Sequence, residues 1–360
     1  MAPPLTASAM LLVGPRHFTR TSMRVPEVEQ GGWLAIEATG ISGVEVQAWK
    51  GTSRLVRYPL VPGHEVVGRI AHDPNESLGL PIGTRVVVES SIRCGRCHRC
   101  EAGLSSCAGR KPTNAYGQVP STEPPGLWGG LAEYLYLDPS ARLHAVTDDV
   151  PAAVGSFAHA LAAGFTWAVE TPQLRPGQSV LILGPGPRGL ASLVAAQAAG
   201  AGWVGMTGLS HDKDRLGLAK DLGADLVVDV ETEDLPSAVA NSLGTRPDVI
   251  VDVTSNDSEV ILTALDLVRP GGVIVLASTK GTNAINQLFS DIIVLKELCL
   301  RGAFGASSTA YHWATRQIGT DGRLDELVSH EFPLDEADRA IQASDGMLGR
   351  DQLFSVAVTL

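Results

Sequence analysis

Two different hydrophobic patterns divide the chain. From Ser179 onward, short continuous apolar runs alternate with amphipathic stretches, and the runs are SVLILG, WVGMTG, DLVVDV, DVIVDV and GGVIVLAS. An unbroken apolar run is typical of a strand buried on both faces, and helical patterns between such strands indicate a parallel sheet with crossover helices. The second half of the chain is therefore predicted to be a doubly wound α/β domain.

The first half of the chain has shorter strands and more turns. The candidate strands are WLAIEAT, HEVVGRIA, TRVVVES and AEYLYL, and glycine- and proline-rich turns separate them. This pattern predicts an irregular β-barrel-like domain. The composition changes near residue 155, and the regular alternation weakens after about residue 302, where two helical segments predict a return to the first domain. We therefore expect one domain from residues 1–155 and 302–360, and a second from residues 156–301.

The composition is that of an ordered protein with more than one core. The chain has 360 residues, 44% of them hydrophobic and 19% charged, and this length favours two domains. The 28 Lys and Arg against 39 Asp and Glu give a formal charge of −11, which disfavours binding to nucleic acid or an anionic membrane. The sequence shows no secretory signal pattern and no apolar run that could span a bilayer, so we expect a cytoplasmic protein.

A glycine motif follows the first strand of the second domain. The segment LILGPGPRGL places Gly184, Gly186 and Gly189 in a G-x-G-x-x-G pattern, with Pro187 at the start of a helix. These glycines allow a tight turn, close approach of the backbone to a pyrophosphate, and helix–sheet packing, while the helix N-terminus offers amide donors to phosphate. A merely structural turn is the alternative, but the strand–loop–helix–strand order favours a site for a dinucleotide.

The end of the second strand bears on the choice between NAD and NADP. Gly208 stands where NAD-binding domains commonly have an acidic residue that binds the ribose hydroxyls. Ser210, Lys213 and Arg215 follow it in the segment MTGLSHDKDR. Without a carboxylate at position 208 to repel a 2′-phosphate, the sequence favours NADP over NAD. The alternative is that Lys213 and Arg215 only form the solvated start of a helix.

Four of the five cysteines lie within fourteen residues. Cys94, Cys97, Cys100 and Cys107 have the spacing C-x2-C-x2-C-x6-C. Four thiolates can close a tetrahedral site around zinc with no open position, so this cluster predicts a structural zinc rather than a catalytic one. This distribution of cysteines favours a metal site in a reducing compartment over a disulfide framework.

These motifs, in this order, resemble the zinc-containing alcohol dehydrogenase branch of the medium-chain dehydrogenase/reductase superfamily. The resemblance extends over nearly the whole chain and includes PGHEVVG, the cysteine cluster, GGLAEYLYL, GPGPRG, AKDLGAD, LVRPGGVIVLAS and KELCLRGAFG. It implies a GroES-like β-barrel catalytic domain, a Rossmann coenzyme domain, a small-molecule substrate, and a homodimer or homotetramer. It also leads us to expect that Thr254, Ala277 and Phe304 contact the cofactor.

The resemblance gives the GHE segment, residues 63–65, an expected function, and it also reveals departures from the family pattern. A lone histidine beside an apolar strand is more often a core residue, but in this family His64 would be a catalytic zinc ligand, with Glu65 in or near the coordination shell. The segment GISGVEVQAWKG then has Ser42 in place of a ligand cysteine, Val44 in place of a proton-relay hydroxyl, and Glu45 in place of an aspartate. A serine hydroxyl binds zinc far more weakly than a thiolate. The loop before the fourth cysteine of the cluster is also one residue shorter than usual.

The ligand set of a catalytic zinc therefore stays open at this point. His159 stands where relatives place a cysteine or a carboxylate, and it is either a second histidine ligand or a polar residue near the nicotinamide. His64 and His159 together with Glu65 or Glu45 could provide the three protein ligands that a catalytic zinc needs. Without zinc, His64, Glu45 or Ser42 would have to donate the proton or hydrogen bond instead.

Three functions remain compatible with the sequence. The first is an NAD(P)-dependent oxidoreductase that acts on a small alcohol/carbonyl pair. The second is a metal-independent reduction of an activated C=C bond, or a redox-neutral tailoring reaction, because several metal-free branches of the family reduce conjugated alkenes. The third is a catalytically silent protein that binds the cofactor without turnover.

Overall fold

The computed structural model describes residues 4–104, 107–109, 115–281, 283–285, 287–350 and 352–360. The chain divides into two compact units, one of residues 1–159 with 311–360 and the other of residues 160–310. The domain boundaries expected from the sequence lie at 155/156 and 301/302 instead. In the structure the chain passes from one unit to the other inside a helix at both points, where a helical sequence pattern gives no sign of a boundary.

The described residues form fifteen strands and eleven helices. The strands are β1 (Thr6–Gly14), β2 (His17–Arg24), β3 (Gly32–Ile41), β4 (Glu65–His72), β5 (Arg85–Val88), β6 (Tyr134–Leu137), β7 (Leu143–Ala145), β8 (Ser179–Leu183), β9 (Trp203–Gly208), β10 (Leu226–Asp229), β11 (Val249–Asp252), β12 (Val273–Leu276), β13 (Cys299–Gly302), β14 (His330–Pro333) and β15 (Val356–Thr359). The helices are α1 (Gly43–Lys50), α2 (His98–Glu101), α3 (Ala152–Ser156), α4 (Ala158–Phe165), α5 (Pro187–Ala198), α6 (Lys213–Asp221), α7 (Leu235–Leu243), α8 (Val260–Leu267), α9 (Asp291–Leu295), α10 (Ser308–Ile318) and α11 (Ala337–Ser344).

The first unit is built on antiparallel strands. Its larger sheet has the order β14-β15-β3-β4-β5-β7, with β6 also paired to β3, and only β14 and β15 run parallel. The long strand β3 pairs with β4 so that Gly40 lies opposite Glu65. Its apolar side chains, among them Trp33 and Leu34, lie in one large core with residues of β1, β4 and α11. This pairing brings the GHE segment beside the start of α1.

The second unit is a parallel six-stranded sheet. Its strand order is β10-β9-β8-β11-β12-β13, and every pairing is parallel. The order reverses between β8 and β11, and ligands of doubly wound sheets bind beyond the carboxyl ends of the strands at such a point. The prediction of a GroES-like barrel domain and a Rossmann domain is confirmed.

One helical stretch in the described part of the chain has the length and hydropathy of a membrane span. It covers Ala152–Glu170, where α3 and α4 continue into a π-helical turn, and its mean hydropathy is 1.3. However, 78% of this window is buried inside the protein. A buried apolar helix of this kind is what the core of a globular domain requires.

Candidate active site and cofactor site

Ser42 is the N-cap of helix α1. Its Oγ accepts a hydrogen bond from the Val44 amide at 3.1 Å and lies 3.0 Å from Glu45 Oε2, to which it donates. The Glu45 carboxylate in turn accepts from the Ser42 amide at 3.0 Å, which completes a capping box. The residue that replaces the expected cysteine thus uses its hydroxyl to begin a helix, so the prediction of Ser42 as a zinc ligand or proton donor finds no support in this geometry.

Glu45 and His64 form a buried pair. Glu45 Oε1 lies 2.6 Å from His64 Nδ1, and the two side chains are 1% and 8% exposed. Burial raises the pKa of Glu45, but the charge and hydrogen bond of His64 and the hydrogen bonds from Ser42 outweigh it, so that the pKa lies below its ordinary value. Glu45 is therefore a carboxylate, and His64 Nδ1 carries the proton that it donates to Glu45. This contact fixes the orientation of the imidazole ring.

His159 uses both ring nitrogens in hydrogen bonds within the first unit. Nε2 lies 2.8 Å from the Val88 carbonyl oxygen, and Nδ1 lies 2.8 Å from the Tyr311 hydroxyl. A carbonyl only accepts, so Nε2 carries the proton, and in the neutral ring Nδ1 accepts from Tyr311. His159 therefore offers no lone pair to a metal unless one of these bonds breaks.

The donor set of this region does not fit a catalytic zinc. The His64 and His159 rings are neighbours, with centroids 5.9 Å apart, and Glu65 Oε1 lies 3.7 Å from His64 Nε2. Among the described residues, however, the only group of three or more His, Cys, Asp or Glu side chains with ligand atoms close enough for one ion is the cysteine cluster. The alternative of His64 and His159 with Glu65 or Glu45 as a zinc-binding set is thus disfavoured, because both ring nitrogens of His159 are used in hydrogen bonds and no three ligand atoms of these described residues lie close enough for one ion.

A buried polar network that the sequence does not reveal continues from His159. Tyr311 stacks on His144 with ring centroids 5.4 Å apart, and His144 Nε2 lies 2.9 Å from Glu89 Oε1. Arg93 donates to the other oxygen of Glu89 at 2.9 Å. Burial raises the pKa of Tyr311, so its hydroxyl stays protonated. No sequence signal points to this network, because its members are up to 222 positions apart along the chain.

The predicted glycine loop connects β8 to α5. Gly184 has a φ of +105°, which a residue with a side chain rarely adopts. A Cβ at Gly189 would lie 2.0 Å from the Gly184 carbonyl oxygen, whereas a Cβ at Gly186 would have nothing within 4 Å. Gly186 is the N-cap of α5 and Pro187 follows it, so the first amides of the helix have no side-chain cap. Two glycines are required by the fold itself, and the third leaves open space at the N-terminus of the helix, as phosphate binding needs.

The other predicted cofactor contacts follow neighbouring strands of the same sheet. Thr254 follows β11, Ala277 follows β12 and Phe304 follows β13. A Cβ on Gly184 would lie 3.1 Å from Thr254 Cγ2, so Thr254 borders the glycine loop. Lys280, which the sequence did not suggest, holds Thr254 Oγ1 at 2.7 Å and the buried Asp252 carboxylate at 2.8 Å. Thr254 thus lies at the glycine loop, while Ala277 and Phe304 follow the next two strands of the sheet.

The segment after β9 is arranged differently from the sequence-based picture. Gly208 is the last residue of β9, and Ser210 is hydrogen-bonded to acidic residues at the end of β10. Arg215 Nη1 lies 3.4 Å from Asp212 Oδ1, while Lys213 is exposed at the start of α6. Of the groups expected to attract a 2′-phosphate, Ser210 and Arg215 therefore already contact carboxylates.

The cysteine cluster has the dimensions of a metal site. The four Sγ atoms lie within 4.8 Å of one another, and the Cys97–Cys100 and Cys97–Cys107 separations are 3.5 and 4.0 Å. Four sulfurs about 2.3 Å from a central zinc would be about 3.8 Å apart. The backbone amide of Cys100 is the main cause that lowers the pKa of Cys97 to about 5, which favours the thiolate that a zinc ligand needs. The four sulfurs therefore have a geometry that fits zinc.

Comparison with known proteins agrees with both units. Residues 32–148 match the alcohol dehydrogenase GroES-like domain family, and residues 187–319 match the zinc-binding dehydrogenase family. The chain is 38% identical over 332 residues to a "Probable alcohol dehydrogenase" of Mycobacterium tuberculosis, covering 90% of this chain and 88% of that protein. It is 28% identical to the erythritol/L-threitol dehydrogenase of Mycolicibacterium smegmatis over 94% of each chain.

A solved structure has the same fold throughout. The alcohol dehydrogenase of Thermotoga maritima superimposes with a TM-score of 0.89 at 25% identity, covering 99% of this chain and 100% of that one. The matched domains, the glycine loop at the switch point of the sheet and the four-cysteine cluster occur together over the whole chain. The chain therefore belongs to the zinc-containing alcohol dehydrogenase family of medium-chain dehydrogenase/reductases, which are NAD(P)-dependent oxidoreductases.

Proposed function

We propose that the chain transfers hydride between a nicotinamide cofactor and a small alcohol/carbonyl substrate with no metal at the catalytic residues. The observation that carries this proposal is that Ser42 caps a helix and that His159 uses both ring nitrogens in hydrogen bonds, so two of the expected ligands are engaged elsewhere. The buried Glu45–His64 pair supplies the acid–base group of the proposal.

In this proposal His64 moves the proton that balances hydride transfer. The nicotinamide supplies hydride to the carbonyl carbon during reduction and accepts it during oxidation. The carbonyl oxygen gains a proton at the same time, and His64 Nε2 donates it. Glu45 holds Nδ1–H and stabilises the protonated ring before the transfer, as a carboxylate does beside a catalytic imidazole. The His64 ring then takes up a proton from solvent. In alcohol oxidation the direction is reversed, and His64 Nε2 accepts the proton of the alcohol.

The cofactor and the structural zinc have separate supports. The open space at Gly186 and the uncapped start of α5 fit a pyrophosphate. Cys94, Cys97, Cys100 and Cys107 would hold zinc as four thiolates, which stabilises their loop and leaves no open position for chemistry.

We also propose a homo-oligomer in the cytoplasm. Strand β13 is an edge of the parallel sheet in the described part of the chain, and Phe289, Val294 and Leu295, which precede it in sequence, are 74%, 72% and 82% exposed. A second copy would cover this apolar surface and the strand edge. A zinc-binding set of free thiols suits a reducing compartment.

The proposal is tested by counting zinc and by replacing His64. We expect one zinc per chain in the wild type and in His64→Gln. The kcat of His64→Gln should fall about a hundredfold or more, because a positioned acid–base group contributes at least that much. The exposed His312→Gln serves as the control, with unchanged kcat. Two zincs per chain, one of them lost in His64→Gln, would contradict a metal-free catalytic site.

A substrate panel decides between the reaction types. NADH and NADPH are each tested with alcohols, aldehydes, ketones and enones, and the absorbance of the reduced cofactor is followed. Turnover of the alcohol/carbonyl pairs supports the proposal. Turnover of enones alone would support C=C reduction, which needs no polarising metal, and cofactor binding without any turnover would support a silent binding protein.

A further inference from the structure

The end of strand β9 lies directly against the glycine loop. Gly208 pairs with Asp229 across the β9–β10 ladder, and the Val230 amide donates to the Gly208 carbonyl at 3.0 Å. A Cβ at Gly208 would lie 2.8 Å from Pro185 Cγ. Gly208 is therefore explained by packing, because a side chain at this position would overlap Pro185. The missing carboxylate at position 208 is then no evidence that the site prefers NADP.

Acidic groups reach the same place from the neighbouring strand. Ser210 Oγ donates to Asp229 Oδ2 at 2.6 Å, and the Ser210 amide donates to Glu231 Oε2 at 2.8 Å. The hydrogen bond from Ser210 lowers the pKa of Asp229, so this carboxyl is ionised at neutral pH. Both donors of Ser210 that could bind a 2′-phosphate are thus already directed at carboxylates.

Of Lys213 and Arg215, the two Lys or Arg residues of this segment, Arg215 is already engaged with a carboxylate. Arg215 lies beside the buried Asp212 carboxylate, which also accepts from the Leu209 amide at 3.2 Å. Lys213 is exposed on the first residue of α6. A 2′-phosphate carries close to two negative charges and would have to sit next to Asp229 and Glu231, whereas a ribose hydroxyl can donate a hydrogen bond to either carboxylate.

We infer that this site selects NAD over NADP, and that Asp229 and Glu231 at the end of β10 are the residues that determine this specificity. The inference rests on the proposed dinucleotide site and names the cofactor that the site prefers. It reverses the preference drawn from the sequence, because the carboxylates belong to the next strand of the sheet and not to the strand that carries Gly208.

Binding measurements test the inference without relying on turnover. Dissociation constants for NADH and NADPH are measured by calorimetry on the full chain, for the wild type, Asp229→Asn, Glu231→Gln and the double variant. Like charges a few ångströms apart near a surface cost enough that the wild type should bind NADH about tenfold or more tightly than NADPH. The double variant should bring the ratio close to one by tightening NADPH binding. Asp221→Asn removes an exposed carboxylate from the other end of α6 and should leave the ratio unchanged.

Salt gives a second readout, because exposed charges are screened. The preference of the wild type for NADH should decrease between low and high ionic strength, and that of the double variant should not. Wild-type binding of NADPH equal to or tighter than that of NADH would overturn the inference while leaving the proposed function intact. Binding of neither nucleotide would overturn both. A double variant that keeps the wild-type ratio would show that other residues set the preference.

Discussion

At the scale of single residues, the decisive positions are those where the chain departs from the family pattern. The sequence shows that Ser42 replaces a thiolate and that His159 stands at a ligand position. The cap that Ser42 forms on α1 is local, because its partners lie two and three residues away. The position of His159 between Val88 and Tyr311 depends on how distant segments pack, so the sequence cannot show it. A hydrogen bond that uses a lone pair removes that atom as a metal ligand, and only coordinates reveal it.

The Glu45–His64 pair makes a prediction about pH and stability. The pKa of Glu45 in the folded state lies below its ordinary value of 4.5, so its ionised form stabilises the fold above that pH and this contribution is lost as the pH falls through the folded pKa. Glu45→Gln should lower the free energy of unfolding at pH 7 by about 3 kcal/mol, because it leaves the buried His64 without its charged partner. The difference from the wild type should shrink at pH 4. Chemical denaturation at both pH values measures it, with the exposed Glu331→Gln as control; a difference that does not change with pH would mean that Glu45 is not ionised.

At the scale of elements, the glycine loop separates what the fold needs from what a ligand needs. The motif by its spacing predicts three functions for three glycines, and the structure assigns them individually. Gly184 and Gly189 satisfy backbone geometry and close packing, whereas Gly186 has a φ of −65° and open space in front of it. The sequence spacing cannot tell which glycine the fold requires and which one a ligand requires, because that depends on interatomic distances.

Two alanine substitutions in this loop should therefore behave oppositely. Gly189→Ala should destabilise the protein by about 1–3 kcal/mol, because its Cβ would overlap the Gly184 carbonyl. Gly186→Ala should change stability by less than about 0.5 kcal/mol, since the position tolerates a side chain. It should nevertheless weaken NADH binding about tenfold or more, because the methyl group occupies the approach to the pyrophosphate. Thermal unfolding and calorimetry separate the two effects; equal loss of stability in both variants would contradict this assignment.

The cysteine cluster makes a second prediction at this scale. Cys97→Ser should reduce bound zinc from one per chain to less than half and lower the melting temperature, because three thiolates hold the metal less tightly than four. The kcat of the remaining folded protein should stay within a few-fold of the wild type. Zinc release with a colorimetric chelator measures the content, and Cys299→Ser, outside the cluster, should retain one zinc. Full zinc content in Cys97→Ser would show that the cluster is not the site.

At the scale of the whole molecule, the order of strands and the exposed surfaces matter. The alternating runs after Ser179 predict the parallel sheet because each crossover needs a helix between two buried strands, and the strand order follows the usual switch point. The sequence does not indicate which strands lie at the edges. In the described part of the chain the structure places β13 at an edge, and Phe289, Val294 and Leu295, which precede this strand in sequence, are exposed.

Self-association should depend on that surface. Leu295→Glu places a charge on a side chain that is 82% exposed, so it should leave the monomer folded while weakening association. We expect the wild type to sediment as a dimer or tetramer and Leu295→Glu to shift toward monomer, as measured by analytical ultracentrifugation. Leu5→Glu, at an 88% exposed leucine in the first unit, is the matched control and should not shift. A monomeric wild type would contradict the proposed oligomer.

The sequence by itself determined the two-domain architecture, the family, the glycine loop and the four-cysteine cluster. These features arise from short-range patterns: apolar runs set the strands, and fixed spacings bring glycines or thiols together within one loop. The tertiary structure alone decided how Ser42, Glu45, His64 and His159 are hydrogen-bonded, and that Asp229 and Glu231 lie beside Ser210. Apart from the local Ser42–Glu45 bond, these contacts join separate segments of the chain, and the chemistry of a titratable group depends on its partners in space.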